Sequence, residues 1–142
     1  MSAALRRLAA ASALVLTTAC HRHAPSSARS LTSVVVHAEE GTTNREAWGE
    51  WRRRLSGATH ATKDIAVALY TLAPGQAPHP PHKHAEEELM ILVTGEGTWN
   101  LGGKESPAHE GDLLYAATWD LHGLRNTSPL PLRYYVVKWL PP

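Results

Sequence analysis

The chain has 142 residues, with 14 Lys and Arg against 13 Asp and Glu, nine His and one Cys. That length holds one domain with a single core. A net charge of +1 at pH 7, with no basic stripe, excludes a nucleic-acid surface or a polybasic membrane patch, and a single cysteine excludes an internal disulfide.

In chain order, residues 1–19 have the layout of an export signal rather than a membrane span. Arg6 and Arg7 form a short positive region, and residues 8–16 are an apolar run too short to cross a bilayer. Thr17, Thr18 and Ala19 are small, and Cys20 follows. The stretch from Leu16 to Cys20 resembles a bacterial lipobox, with Thr17 standing where a Leu is usual. The expectation is an exported protein, periplasmic or anchored to the membrane through lipid on Cys20; the plainer alternative is ordinary secretion. Cleavage before Cys20 leaves residues 20–142, which a core, a metal or a partner subunit must hold together. Residues 20–30 are rich in Ser, Ala, Pro and His and read as a flexible tether.

The domain is expected over 31–142. Residues 31–37 are β-branched and read as a strand. Thr43 to Glu46 fits a capping box, and 46–55 then reads as a short helix with Trp48, Trp51 and Leu55 on one face. Arg52, Arg53 and Arg54 read as solvated. From Lys63 the pattern turns to β. Residues 64–72 form a strand ended by Pro74 and Gly75, and the loop to Pro81 is stiffened by three prolines. Residues 82–93 form a second strand region, apolar on both faces over 89–93. Strands follow at 98–101, 104–108, 113–116, 122–126 and 133–140, separated by Gly-rich turns. Short strands between Gly and Pro turns argue an all-β barrel or sandwich.

The chemistry lies in His82, His84 and Glu88, which share one parity on an extended strand, and in His122 downstream. Three imidazoles and a carboxylate suit one divalent first-row transition metal (Fe, Mn, Ni, Cu or Zn) better than Ca or Mg. Four protein ligands on an octahedral metal leave two positions for water, O2 or a chelating substrate. Glu86 has the same parity, whereas Glu87 should face away. His79 stands where it can line the mouth. His79, Glu86 and Tyr70 are the catalytic candidates if they point into the barrel. Trp99, Tyr115 and Trp119 are candidate pocket wall, with core packing an equal alternative. His37, His60 and His109 read as surface residues.

Together these residues resemble the two motifs of the cupin superfamily. The first runs through Gly75, His82, His84, Glu88 and Gly95, with one residue more than usual between Gly75 and His82. The second runs through Gly111, Asp112, His122 and Asn126. It departs at Ala117 and Trp119, where the family usually has Pro and Gly, which touches loop geometry more than ligands. The resemblance covers 65–139. It implies a jelly-roll β-barrel, here with one short N-terminal helix, and His82, His84, Glu88 and His122 as metal ligands. It also implies pairing as a homodimer. An apolar row of Leu89, Ile91 and Val93 facing away from the metal needs a cover, from the helix, the 31–37 strand or a second copy. Cupins include dioxygenases, isomerases, lyases and noncatalytic binding proteins, so fold alone does not choose. The expected function is a metal-dependent, oxygenase-like enzyme of the cell envelope acting on a small oxygen-rich or aromatic molecule. The alternative is a noncatalytic module that binds a small molecule or a metal.

Overall fold

A computed structural model describes residues 30–142. The export signal, Cys20 and nearly all of the tether lie outside the described residues. The described residues form nine strands and no helix. They are β1 Thr42–Glu46, β2 Gly49–Gly57, β3 Asp64–Leu72, β4 Glu87–Thr94, β5 Gly97–Leu101, β6 Lys104–Ala108, β7 Leu113–Ala116, β8 His122–Asn126 and β9 Leu132–Leu140. Six of them make one antiparallel sheet in the order β1-β2-β3-β9-β4-β7, and three make a second in the order β6-β5-β8. From β3 onward the strands fall where alternation and Gly/Pro turns place them. This is the all-β jelly-roll architecture that the motifs imply.

The helix expected over 46–55 is a correction. Those residues form the β1–β2 hairpin, with Thr43 opposite Arg52 and Glu46 opposite Gly49. Trp51 pairs with Tyr70 and Leu55 with Val67, which are residues of opposite parity on β3. Trp48 and Trp51 therefore meet on the Tyr70 side while Leu55 faces the other, so the helical spacing marks no face common to all three. A register shift between Arg53 and Leu55 breaks the alternation that would have revealed a strand. Gly49 has φ +140°, and a Cβ there would stand 2.1 Å from the Thr71 carbonyl oxygen. Only glycine lets β2 begin so close to β3. Pairing along the whole of β3 outweighs a local capping signal.

Two smaller expectations also change. Residues 31–37 lie outside regular strands and carry exposed Val34 and Val35. The arginines of β2 are not all solvated. Arg52 donates to the Thr43 hydroxyl and the Ala38 carbonyl, and Arg54 donates to the carbonyls of Val36, His37 and Ala38. They hold segment 36–38, whereas Arg53 lies over the Trp51 ring.

The core sits between the two sheets. Leu72, Met90, Leu92, Trp99, Leu124 and Leu132 are among its buried members. Asn126 is fully buried and acts as a tie. Its amide nitrogen donates to the carbonyls of Leu72, Ala73 and Leu130, and its oxygen accepts from Ser128. These bonds fix the end of β8 against the end of β3, and so set the position of His122 at the other end of β8.

Candidate metal centre

His82 and His84 lie on the approach to β4, Glu88 on β4 itself, and His122 at the start of β8. His82 and His122 exchange both backbone hydrogen bonds, each 3.0 Å, as an isolated antiparallel bridge. That bridge brings two segments distant in sequence to one point. The segment between His84 and Glu88 is held by the turn before β8: the Trp119 amide donates to the His84 carbonyl at 2.8 Å, and the Thr118 hydroxyl donates to the Ala85 carbonyl.

The three imidazoles form a near-equilateral triangle, with ring centroids 4.8 to 5.0 Å apart. One nitrogen from each lies within 4.8 Å of the others, so His82, His84 and His122 can hold one metal ion. Glu88 faces the same point. Its Oε2 is 3.1 Å from His84 Nε2, and its Oε1 is 3.7 Å from His122 Nε2. His122 Nδ1 donates to the Asp120 carbonyl at 2.9 Å, and His84 Nδ1 to the Glu86 carbonyl at 3.0 Å. Each bond fixes a tautomer whose Nε2 lone pair is left for the centre. Two nitrogens, His82 Nδ1 and His122 Nε2, are buried without a hydrogen-bond partner. Unmet buried nitrogens are costly unless something binds them. A transition metal held by the three histidines fits this donor set.

The electrostatics agree. Burial pushes the Glu88 carboxyl up, but His122, His84 and Lys138 more than offset it and hold it below the ordinary carboxylate range. Burial, with His79, His122 and His84 nearby, lowers His82 to about 4, so it presents a neutral nitrogen at ordinary pH. His122 is raised, by the Glu88 carboxylate facing it, against the effect of burial.

The centre opens into a cavity of about 70 Å³. Its walls include Tyr70 on β3, Met90 on β4, and Tyr134, Val136 and Lys138 on β9. Of the catalytic candidates, Tyr70 lines this cavity, and burial and the Glu88 charge raise its phenol above the ordinary range, so it stays protonated. Tyr70 is held by stacking against Trp48 and Trp51 and by a tilted contact with Tyr134. His79 also lines the cavity, with its ring centroid 3.9 Å from that of His82. Glu86 stands behind a ligand instead: its Oε2 is 3.3 Å from His84 Nδ1 and its Oε1 3.7 Å from Lys138 Nζ.

Three expected wall residues do not line the cavity. Trp99 is core, Trp119 is exposed, and Tyr115 is exposed with its hydroxyl donating to Glu87. The aromatic wall comes from Tyr70 and Tyr134. Sequence reasoning missed Tyr134, Val136 and Lys138. Their shared parity puts them on one face of β9, but only the insertion of β9 between β3 and β4 brings that face to the cavity. His37, His60 and His109 are exposed, as expected.

The cupin domain family model matches residues 68–138. Gentisate 1,2-dioxygenase of a Streptomyces species is 30% identical over 55% of this chain, and auxin-binding protein 1 of Arabidopsis thaliana is 30% identical over 58%. The matches span only 22% and 46% of those two proteins. An oxalate-binding protein of Thermotoga maritima is 28% identical over 75% of this chain and 93% of its own length. Among solved structures, a predicted oxalate decarboxylase of Thermotoga maritima superposes with a TM-score of 0.61 at 24% identity, covering 75% of this chain and 99% of that one. An RmlC-like cupin of Shewanella frigidimarina gives 0.62 at 16% identity, covering 76% and 91%. With the paired histidine segments, the two facing sheets and the matched family model in agreement, the chain belongs to the cupin family.

Proposed function

We propose that this cupin is a metal-dependent, oxygenase-like enzyme acting on a small oxygen-rich or aromatic molecule. The observation that carries the reading is the pair of buried, unpartnered nitrogens on His82 and His122, beside His84 and Glu88, in an open cavity. In this reading Glu88 is the fourth ligand. A divalent transition metal bound there would act as a Lewis acid on substrate oxygens or activate O2. Tyr70 is the chain's own contribution to chemistry: a protonated phenol on the cavity wall can donate a hydrogen bond to a substrate oxygen. Glu86 orients His84 rather than reaching the reacting atoms. The similarity to gentisate 1,2-dioxygenase supports the oxygenase choice. Export and lipidation at Cys20 belong to the same proposal, on the strength of residues 1–20.

The test is metal analysis of anaerobically purified protein, followed by oxygen-uptake screening against small phenols and acids. The expected result is about one transition-metal ion per chain and substrate-dependent oxygen uptake that Tyr70→Phe lowers with metal content intact. Metal without turnover of any compound would favour the noncatalytic binding module.

A further inference from the structure

Lys138 was singled out by none of the motifs, yet it is the cation on the cavity wall. It sits on β9 directly opposite Glu88 of β4, on the inward face. Its neighbours of the same parity, Val136 and Tyr134, line the same cavity. The ammonium is 3.7 Å from Glu86 Oε1, and the other oxygen of Glu86 faces His84 Nδ1 at 3.3 Å. One carboxylate is thus shared between Lys138 and an imidazole. Lys138 is partly exposed at this point, so further donors on its ammonium are free to turn toward the cavity.

A charge count decides what the cavity accepts. A divalent metal, when bound, would with Lys138 bring three positive charges against the two negative ones of Glu88 and Glu86. A partly enclosed site with net positive charge favours an anion. Size narrows it further: the cavity is about 70 Å³, against roughly 300–1,000 Å³ for pockets that take drug-sized ligands, so the end of a ligand that reaches the histidines is compact.

We infer that Lys138 makes the centre selective for a compact carboxylate carrying a second oxygen donor, such as a 2-oxo or 2-hydroxy acid. The metal, when bound, would supply the Lewis-acid contact to the ligand's oxygens, and Lys138 holds the carboxylate by a charge-assisted hydrogen bond. Larger substrates place this acid end inside and the remainder in the mouth. The inference rests on the metal-binding reading above and adds the substrate class.

Calorimetric titration of the metal-loaded protein with pyruvate and with its neutral isostere pyruvamide tests it, with metal content measured on the same samples. The expected result is pyruvate binding that exceeds pyruvamide binding by at least about tenfold, the size of one charge-assisted hydrogen bond. Lys138→Met should bind pyruvate at least about tenfold more weakly while keeping its metal, and Lys138→Arg should recover most of the loss. Equal binding of acid and amide by the wild type overturns the inference, as does a metal-replete wild type that binds neither. A metal-replete Lys138→Met protein with undiminished pyruvate binding does the same. A wild-type protein that takes up no metal overturns the proposed function, and this inference with it.

Discussion

On β4 and β9 one parity faces the histidines and the other faces outward from the larger sheet. The inward set on β4 is Glu88, Met90 and Leu92, all buried. On β9 it is Tyr134, Val136 and Lys138. After Glu87, which accepts from Tyr115, the outward set on β4 is apolar, with half-buried Leu89, Ile91 and Val93, and continues through Val137 and Trp139 on β9. Trp139 stacks on exposed Tyr115 at 6.5 Å. The inward face mixes carboxylate, ammonium and phenol among apolar groups, whereas the outward face asks only to be covered. The same strands thus carry chemistry on one side and adhesion on the other. Substitutions on the two sides should separate cleanly.

The largest effect belongs to the inner side. His84→Ala removes one of the three imidazoles that can hold a metal and leaves Glu88 without its 3.1 Å partner. It should abolish stoichiometric metal binding at neutral pH, whereas exposed His109→Ala should keep it. Elemental analysis checks this: equal metal in the wild type and in a His82/His84 double alanine variant would sink the assignment of the centre.

How much of this was legible beforehand differs between the two halves of the site. His82, His84 and Glu88 lie within seven residues of one another, so strand parity alone groups them. Lys138 and Tyr134 reach the same cavity only because β9 inserts between β3 and β4. Parity gives the face of a strand but not its neighbours in the sheet, so that half was not readable. The β1–β2 hairpin failed for a related reason. A capping box and three apolar residues at helical spacing are local signals, while the pairing of Trp51 with Tyr70 is distant, and a bulge hides the alternation.

The second effect belongs to the outer side. A half-buried apolar row on the outer face of a sheet is a site for self-association. No helix covers it among the described residues. Light scattering at micromolar concentration should give a homodimer mass for the wild type and a monomer for Ile91→Lys. Both proteins should hold the same metal, since Ile91 faces away from the histidines. A monomeric wild type would refute the pairing, and metal loss in Ile91→Lys would refute the separation of faces.

The pH dependence is smaller and sharpens the inner side. Unfolded histidine titrates near ~6.5. His82, lowered to about 4 by burial first and then by its histidine neighbours, stays neutral in the fold where the unfolded chain is protonated. The stability it supports is complete above ~6.5 and is lost as the pH falls toward 4. His122 runs the other way. Its raised pKa, set by Glu88, gives the metal-free protein stability that is complete below ~6.5 and lost as the pH rises through the folded value. Protons therefore compete with metal at His122 before His82, and binding should weaken as the pH falls through the imidazole range. Ring-proton NMR of metal-free protein should show His82 titrating near 4 and His122 above the ordinary value. A His82 that titrates normally would remove the electrostatic account.

The smallest effect lies between the faces, at the turn that holds His84. Trp119 has φ +63°, left-handed backbone at the position where the second motif usually has glycine. For a bulky residue that conformation costs about 1–2 kcal/mol. Its side chain is 61% exposed, so little packing offsets the cost. Trp119→Gly relieves the strain but adds about 0.5–1 kcal/mol of unfolded-state entropy. The net should be a stabilisation of about 0.5–1 kcal/mol, or a few degrees in Tm for a domain of this size. The backbone hydrogen bond from residue 119 to the His84 carbonyl survives in the variant, so metal binding should not change. Trp119→Ala is the control, because alanine keeps the Cβ that makes the conformation costly. Thermal denaturation should therefore rank glycine above both alanine and tryptophan. If alanine stabilises as much as glycine, the gain comes from removing an exposed indole, and the turn carries no strain to relieve.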